Sequence, residues 1–242
     1  MKPYLSVIIP AYNEAKRLPL TLIDIDKHLS KADFSYEIIV VDNNSKDATP
    51  EIVKRFSHLM KNLKLVECPT PGKGVAVQKG MLEAKGNVRI FMDADNSTSI
   101  DQFSKMNPYF KEGYDVVIGS RDVPGAKMVP PQSWYKRLGG DIGNLIIQAL
   151  LLPGMWDTQC GFKAFTEEVT RKIFPLIKTK HWSFDVELLS LAKHLSYKIK
   201  EIPVVWVNNP FSLVKASTYI QFFWEVLKIK WWLITGAYKI RK

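Results

Sequence analysis

Five short strand-like runs, each followed by a polar loop and most of them by helical spacing, restrict what this chain can fold into. They are Leu5–Ile9, Glu37–Val41, Leu63–Glu67, Val88–Met92 and Asp115–Ile118. A run this short, bounded by polar residues, reads as a buried strand. Helical spacing fills the intervals: Leu18 to Leu29, the stretch opened by Thr49-Pro50-Glu51, the stretch from Gly72 to about Ala84, and one ending near Phe110. Asp47 stands where it can cap the second of these. Strands alternating with helices argue for right-handed βαβ units and a mostly parallel, Rossmann-like α/β sheet flanked by helices. In such sheets ligands sit at the carboxyl ends of the strands.

That edge collects reactive side chains. Val88–Met92 ends in Asp93-Ala94-Asp95. Residues i and i+2 of an extended chain share a face, so both carboxylates can turn toward one point. They repel there unless a cation intervenes, and Mg²⁺ or Mn²⁺ takes carboxylate oxygens while keeping substrate phosphates as its other ligands. The plainer alternative is a solvated strand-end turn, where Asp is common. Asp42 ends the second strand, where it could accept from a nucleotide base or ribose hydroxyl, or simply cap a turn. Gly72-Lys73-Gly74 lets the backbone approach a ligand and brings a charge, although such loops also make ordinary turns. Arg121, after Gly119-Ser120, offers a guanidinium suited to a bidentate phosphate contact or to a surface ion pair. Together on one edge, these residues favour a metal-dependent nucleotide-sugar site. No Walker-type loop is present, and no dinucleotide glycine fingerprint follows the first strand, which argues against ATPase and dehydrogenase chemistry.

The second half is less regular. Asp122–Gln132, with three prolines and a glycine, reads as a loop, and Ser133–Leu152 as a helix with a long apolar face. Asp157–Phe165 reads as a turn and short strand, Phe184–Leu195 as a helix, and Ile199–Val207 as a strand with an edge-like Pro203. Asp185 and Glu187 would not share a helix face, so one is expected at the site and the other in solvent. Asn208–Lys215 reads as a loop, and Thr218–Tyr238 as an aromatic-rich amphipathic helix with the basic tail Lys239–Lys242. The 242 residues suit a single domain, read as a nucleotide-sugar half over 1–121 and an acceptor half over 122–242. The net charge of +10 points to an anionic partner or merely to solubility. Two cysteines make no disulfide framework and suit a reducing cytosol; Cys160 reads as a packed residue rather than a nucleophile. The four histidines show no ligand spacing. The N-terminus runs straight into a strand pattern with no signal peptide, and no stretch of about 18 uncharged apolar residues marks a membrane span.

These residues also carry a family resemblance. Ser6–Glu14 (SVIIPAYNE), Val40–Ser45 (VVDNNS), Gly72-Lys73-Gly74, Asp93-Ala94-Asp95 and Gly119-Ser120-Arg121 resemble family 2 glycosyltransferases of the GT-A fold, in order and spacing over nearly the whole chain. Asp157–Lys163 (DTQCGFK) and Trp182–Leu189 (WSFDVELL) resemble the branch that makes dolichyl- or polyprenyl-phosphate glucose. The resemblance implies that Asp42 meets the nucleotide base, and that Pro10, Tyr12 and Glu14 line the same pocket. It implies that Asp93 and Asp95 bind Mg²⁺ or Mn²⁺ with the sugar diphosphate, that Arg121 contacts phosphate, and that Asp157 lies near the reaction centre. Two positions depart from the family pattern. Asn43 stands where many members have a second Asp, and Phe211–Lys215 replaces a Gly-Ser-Lys stretch, with Lys215 shifted.

The reaction implied is inverting transfer of a hexose, glucose by the branch resemblance, from a nucleotide diphosphate sugar such as UDP-glucose to dolichyl or polyprenyl phosphate. Lys73 joins the nucleotide-sugar group. Lys136, Arg137 and Lys215 are the candidate cations for the acceptor phosphate, and Asp157 the candidate for orientation or base work. The Thr218 helix, with Phe222, Phe223, Trp224, Trp231 and Trp232 beside Lys228 and Lys230, suits a peripheral position on a membrane surface, packing on the domain, or both. The expected location is the cytoplasmic face of a membrane. A rival enzyme reading has a sugar hydroxyl as acceptor and needs a firm general base. A rival of another class is a non-catalytic basic protein bound to membrane or nucleic acid. It is disfavoured because acids gather at the sheet edge and no nucleic-acid module is recognised, so no nucleic-acid partner is expected.

Overall fold

The first strand, β1 (Leu5–Ala11), runs through the middle of a seven-stranded sheet. The computed structural model describes residues 2–132, 134–208 and 216–239, without the side chains of 134–136, 138 and 216–220. After β1 come α1 (Leu18–Leu29), β2 (Tyr36–Asp42), α2 (Thr49–Leu59), β3 (Leu63–Glu67), α3 (Lys73–Glu83) and β4 (Val88–Met92). A short 3₁₀ turn leads into α4 (Phe103–Lys111), then β5 (Val116–Ser120), β6 (Lys127–Val129) and α5 (Trp134–Leu150). The chain continues through β7 (Phe162–Thr166), α6 (Glu167–Ile173), α7 (Phe184–His194), β8 (Ile199–Pro203), β9 (Val205–Val207) and α8 (Ala216–Ile234).

The sheet order is β3-β2-β1-β4-β7-β5-β8, parallel except for β7, which runs antiparallel to both β4 and β5. The inner strands β1, β2, β4, β5 and β7 are buried on both faces over most of their length, hence their near-continuous apolar runs. Ile8, Ile39, Val41 and Phe91 pack under α3, α6 and α7. Their neighbours Val7, Ile9, Ile38, Val40 and Ile90 pack under α1, α2 and α4. The result is a three-layer α/β architecture, as the alternation of strands and helices predicts.

Several boundaries differ from the sequence expectation, for physical reasons. Pro10 does not stop β1: it pairs with Val41 of β2, while the ladder to β4 ends at Ile8–Phe91. One edge of β1 is therefore already unpaired where the missing N–H falls. The 122–132 segment is not wholly loop. It contains β6, whose three residues pair in parallel with β9. The expected strand Ile199–Val207 divides at Val204, whose N–H donates to Ser120 and whose carbonyl accepts from Lys127 (3.1 and 3.0 Å). Its first part, β8, is the outer strand and ends at Pro203. α8 ends at Ile234, earlier than expected, where Gly236 adopts a left-handed φ of 68°.

Asp185 and Glu187 are both buried, so the expectation that one faces solvent fails. α7 is enclosed on every side from Phe184 to Ala192. Glu187 accepts from the Lys178 and Thr179 N–H groups (2.9 and 2.8 Å), the Thr179 hydroxyl (2.5 Å) and the Tyr238 hydroxyl (2.8 Å). This carboxylate thereby ties the turn after α8 to the segment before α7. Tyr238→Phe removes one donor from a buried anion and is expected to cost about 2 kcal/mol, read as a lower urea midpoint.

Candidate active site

The loops after β1 and β2 are stitched together at the carboxyl edge. Asn13 and Asn44 turn there with φ of 55° and 63°, a region Asn tolerates. The Asn13 N–H donates to Ser45 Oγ (2.9 Å), Lys46 N–H to Asn13 Oδ1 (2.8 Å), Glu14 N–H to Thr49 Oγ1 (2.8 Å) and Ala15 N–H to Asp47 Oδ2 (3.1 Å). Pro10 is half-buried beneath this stitching, and the Tyr12 ring is exposed beside it. Asp42 lies buried at the end of β2. Its Oδ2 accepts from Ser45 N–H at 3.3 Å, but its Oδ1 is buried with no hydrogen-bond partner. A buried acceptor left unpaired costs about 1–3 kcal/mol, so this oxygen is poised for a donor from a ligand.

The Asn43 departure has a structural explanation. Its amide donates to the Cys68 and Thr70 carbonyls (3.0 and 2.7 Å) and its carbonyl accepts from Gly72 N–H (2.8 Å). An aspartate could not donate, so Asn43 staples the loop leading to Lys73. The glycines on either side of Lys73 serve a close approach, but to the chain itself. Gly72 has a φ of 132°, and a Cβ there would lie 2.3 Å from the Lys180 carbonyl oxygen. Gly74 N–H donates to that same oxygen at 3.0 Å. The expectation that these glycines open the backbone to a ligand gives way to this packing.

Lys73 itself points to the aspartates. Its Nζ lies 2.5 Å from Asp93 Oδ1 and 5.1 Å from the centre of the Trp182 ring. Burial opposes its charge, but Asp93 and then Asp185 outweigh burial and raise its pKa. Asp95 accepts from Ser97 N–H (3.0 Å) and lies 3.6 Å from Arg17 Nη1. Arg17 in turn forks onto Glu14, Nε to Oε2 at 2.6 Å and Nη2 to Oε1 at 2.5 Å. Burial raises the Glu14 pKa against the pull of Arg17, with Asp95 and Asp93 adding to the rise.

The donor set fits a hard divalent cation. Asp93 and Asp95 supply carboxylate oxygens, and no cluster of three or more His, Cys, Asp or Glu exists among the described residues. An ion held by one or two carboxylates completes its shell from substrate phosphates and water, as Mg²⁺ and Mn²⁺ do. Gly161 leaves room for this: a Cβ there would lie 2.0 Å from Asp93 Oδ2.

Beyond the aspartates lies a second, cationic centre. The Arg121 guanidinium donates to Asp157 through Nε (2.7 Å) and Nη2 (2.9 Å), and its backbone N–H donates to the same carboxylate (2.9 Å). The Gln159 and Cys160 N–H groups add bonds of 3.1 and 3.0 Å. Burial opposes ionisation of Asp157, yet Arg121 holds its pKa down to about 2. Asp157 is thus an anion saturated by donors and poorly suited to accept a substrate proton. Burial pushes the Cys160 thiol up to about 12, which suits packing and not nucleophilic attack. The Trp206 ring lies 5.5 Å from the Arg121 guanidinium. A cavity of about 260 Å³ is lined by Arg121, Ala126, Met128, Pro131, Gln132 and Arg137. Of the expected acceptor cations, Arg137 therefore joins Arg121, whereas the Lys136 side chain and Lys215 lie outside the described residues.

Sequence reasoning missed Arg17 and Trp206, and it held Trp182, Lys163 and Asp185 within the quoted motifs without the buried pairing of the last two. In that pair Lys163 Nζ lies 2.6 Å from Asp185 and 2.5 Å from the Cys160 carbonyl. Glu14 and Arg17 are three apart at a helix start, a spacing that signals an ion pair. Nothing local signals Trp206, which reaches the site through tertiary packing, whereas Trp182 opens the WSFDVELL stretch.

A mostly parallel sheet with β7 reversed and two aspartates just past the end of β4 is the arrangement of a GT-A glycosyltransferase. Residues 6–174 match the family model Glycosyl transferase family 2, and the chain belongs to that family. The dolichyl-phosphate beta-glucosyltransferase of Dictyostelium discoideum is 38% identical, over 98% of this chain and 77% of the relative. That of Homo sapiens is 31% identical, over 98% and 78%. The fold is also that of glucosyl-3-phosphoglycerate synthase from Mycobacterium tuberculosis, solved with Mn²⁺, UDP and glucosyl-3-phosphoglycerate. The TM-score is 0.68 at 19% identity, covering 94% of this chain and 80% of that one. Its Mg²⁺–UDP complex gives 0.67 at 20% identity, covering 94% and 79%.

Proposed function

We propose that this chain transfers glucose from UDP-glucose to dolichyl or another polyprenyl phosphate, with inversion at the anomeric carbon. The observation that carries the choice of a phosphate acceptor is the state of Asp157. A sugar hydroxyl must lose a proton as it attacks, and the acid expected near the reaction centre is locked by Arg121 at a pKa of about 2. A phosphate acceptor is already anionic at neutral pH and needs no such base.

In this reading Asp42 Oδ1 accepts from the uracil or ribose, and Pro10, Tyr12 and Glu14 line the nucleotide pocket. Asp93 and Asp95 would hold Mg²⁺ or Mn²⁺, and the ion would supply positive charge against the departing diphosphate. Lys73 supplies a further cation to the diphosphate. Arg121 and Arg137 hold the acceptor phosphate in their shared cavity, in place of the donor-side role expected for Arg121. Asp157 orients Arg121, and Trp206 covers its guanidinium face.

The acceptor's tail calls for a membrane surface. No described helix is long and apolar enough to cross a membrane. On α8, Val226 and Ile229 are buried, and Phe223, Trp224 and Trp231 are exposed. Ile142 and Leu145 of α5 are exposed as well. This supports a protein held peripherally at a membrane surface, with α8 packed on one side and against lipid on the other.

The reading is tested by steady-state kinetics with UDP release as the signal. Release should require polyprenyl phosphate and not occur with free sugars. Arg137→Ala should raise the KM for polyprenyl phosphate about 10- to 100-fold, the cost of a lost charge-assisted bond, and leave the KM for UDP-glucose unchanged. Equal effects on both substrates would remove Arg137 from the acceptor side.

A further inference from the structure

The two aspartates that a metal–diphosphate complex would use already have cations of the chain's own. Asp93 is paired with Lys73 at 2.5 Å, and Asp95 lies 3.6 Å from Arg17. The two are held differently. Arg17 is committed to Glu14 by a two-pronged pair. The only side-chain hydrogen-bond acceptor of Lys73 among the described residues is Asp93, with the Trp182 face 5.1 Å away. The base of Lys73 is fixed by the Asn43 staple on Gly72 and by the Lys180 carbonyl on Gly74, so the stem swings from a rigid anchor. Three carboxylates, Glu14, Asp93 and Asp95, face two cations, Arg17 and Lys73, which leaves one net negative charge at the edge.

Resting on the metal-dependent donor site described above, we infer that Lys73 is a resident counter-cation that keeps Asp93 from binding a divalent ion until the donor's diphosphate arrives. A lone metal ion must compete with an ammonium already in contact with the carboxylate. Metal and diphosphate together permit an exchange of partners: Asp93 passes to the metal and Lys73 passes to phosphate. Asp93 and Lys73 thereby each trade one oppositely charged partner for another. Trp182 gives the ammonium a cation–π face at the start of its swing. The consequence is heterotropic coupling: nucleotide tightens metal binding, and Lys73 sets by how much.

The test is Mn²⁺ titration followed by the electron paramagnetic resonance of free Mn²⁺, with and without UDP. It uses the wild-type chain, Lys73→Met, Lys73→Gln, Lys73→Arg and Asp95→Ala, each shown to be folded by its melting curve. The wild type should bind Mn²⁺ weakly alone and about 10-fold or more tightly with UDP. Both neutral variants should bind Mn²⁺ alone about 10-fold more tightly than wild type, with the UDP enhancement largely lost. Lys73→Arg, which keeps the charge, should behave as wild type. Unchanged or weaker Mn²⁺ binding by the neutral variants without UDP, against an enhanced wild type, overturns the inference and leaves the donor site standing. If the wild type binds no Mn²⁺ even with UDP, the donor-site reading falls, and the inference with it.

Discussion

Asp157→Ala is expected to lower stability by about 3–5 kcal/mol, because removing one partner of a buried pair leaves an uncompensated charge. For a chain of this size that corresponds to a fall of about 10 °C in melting temperature. Asp157 is 3% exposed and accepts from three Arg121 groups and two further backbone N–H groups, so little water can replace it. The effect should also depend on pH in a stated direction. The carboxylate's pKa is depressed from 3.8 to about 2 in the folded chain. A depressed pKa stabilises the fold above the unfolded value, and that contribution fades as pH falls through the folded value. The shift corresponds to about 2 kcal/mol. Urea unfolding at pH 7 should show the full gap between wild type and variant, and the gap should narrow between about pH 4 and pH 2. A gap that is constant across that window would mean Asp157 is not the anion that holds Arg121.

Gly161→Ala should give the opposite signature, with turnover lost and the fold intact. A Cβ there would lie 2.0 Å from Asp93 Oδ2 and 2.4 Å from its Cγ. The obstructed atoms are the end of a half-exposed side chain, so Asp93 can swing away at modest cost to stability. It then leaves the position from which it reaches both Lys73 and a metal ion. A misplacement of about 1 Å can cost about 100-fold in rate, and a loss of at least that size is expected. Melting temperature measured beside kcat separates the two effects. A large fall in melting temperature with kcat retained would show that Gly161 serves packing rather than the placement of Asp93.

The first half of the chain was readable because its signals are local. Each of β1 to β5 is a short strand-like run bounded by polar residues, and Asp42, Asp93 and Asp95 stand at or just beyond strand ends, where a parallel sheet must gather them. The second half was less readable because its decisive contacts are distant in sequence. The antiparallel insertion of β7 between β4 and β5 depends on where the chain returns, which a five-residue pattern does not encode. β6 and β9 are three residues each and gain meaning only from each other. Gly72 and Gly74 looked like a ligand cradle because glycine signals a close approach without naming what approaches. The pair Asp185 and Glu187 was misjudged through its charge. The sequence around it, from Phe184 to Ala192, is apolar on nearly all sides, the mark of an enclosed helix. A reader weighting that pattern above the two charges would have placed both inside.

The most direct test of glucose transfer to a lipid phosphate is the label itself. Folded protein is supplied with Mg²⁺ or Mn²⁺, a short polyprenyl phosphate, and radiolabelled UDP-glucose or GDP-mannose, and organic-extractable label is counted. The predicted result is label in lipid from UDP-glucose, absent with GDP-mannose and lost in Asp95→Ala. Label carried into lipid from GDP-mannose alone, or into water-soluble sugars with none in lipid, would contradict the account.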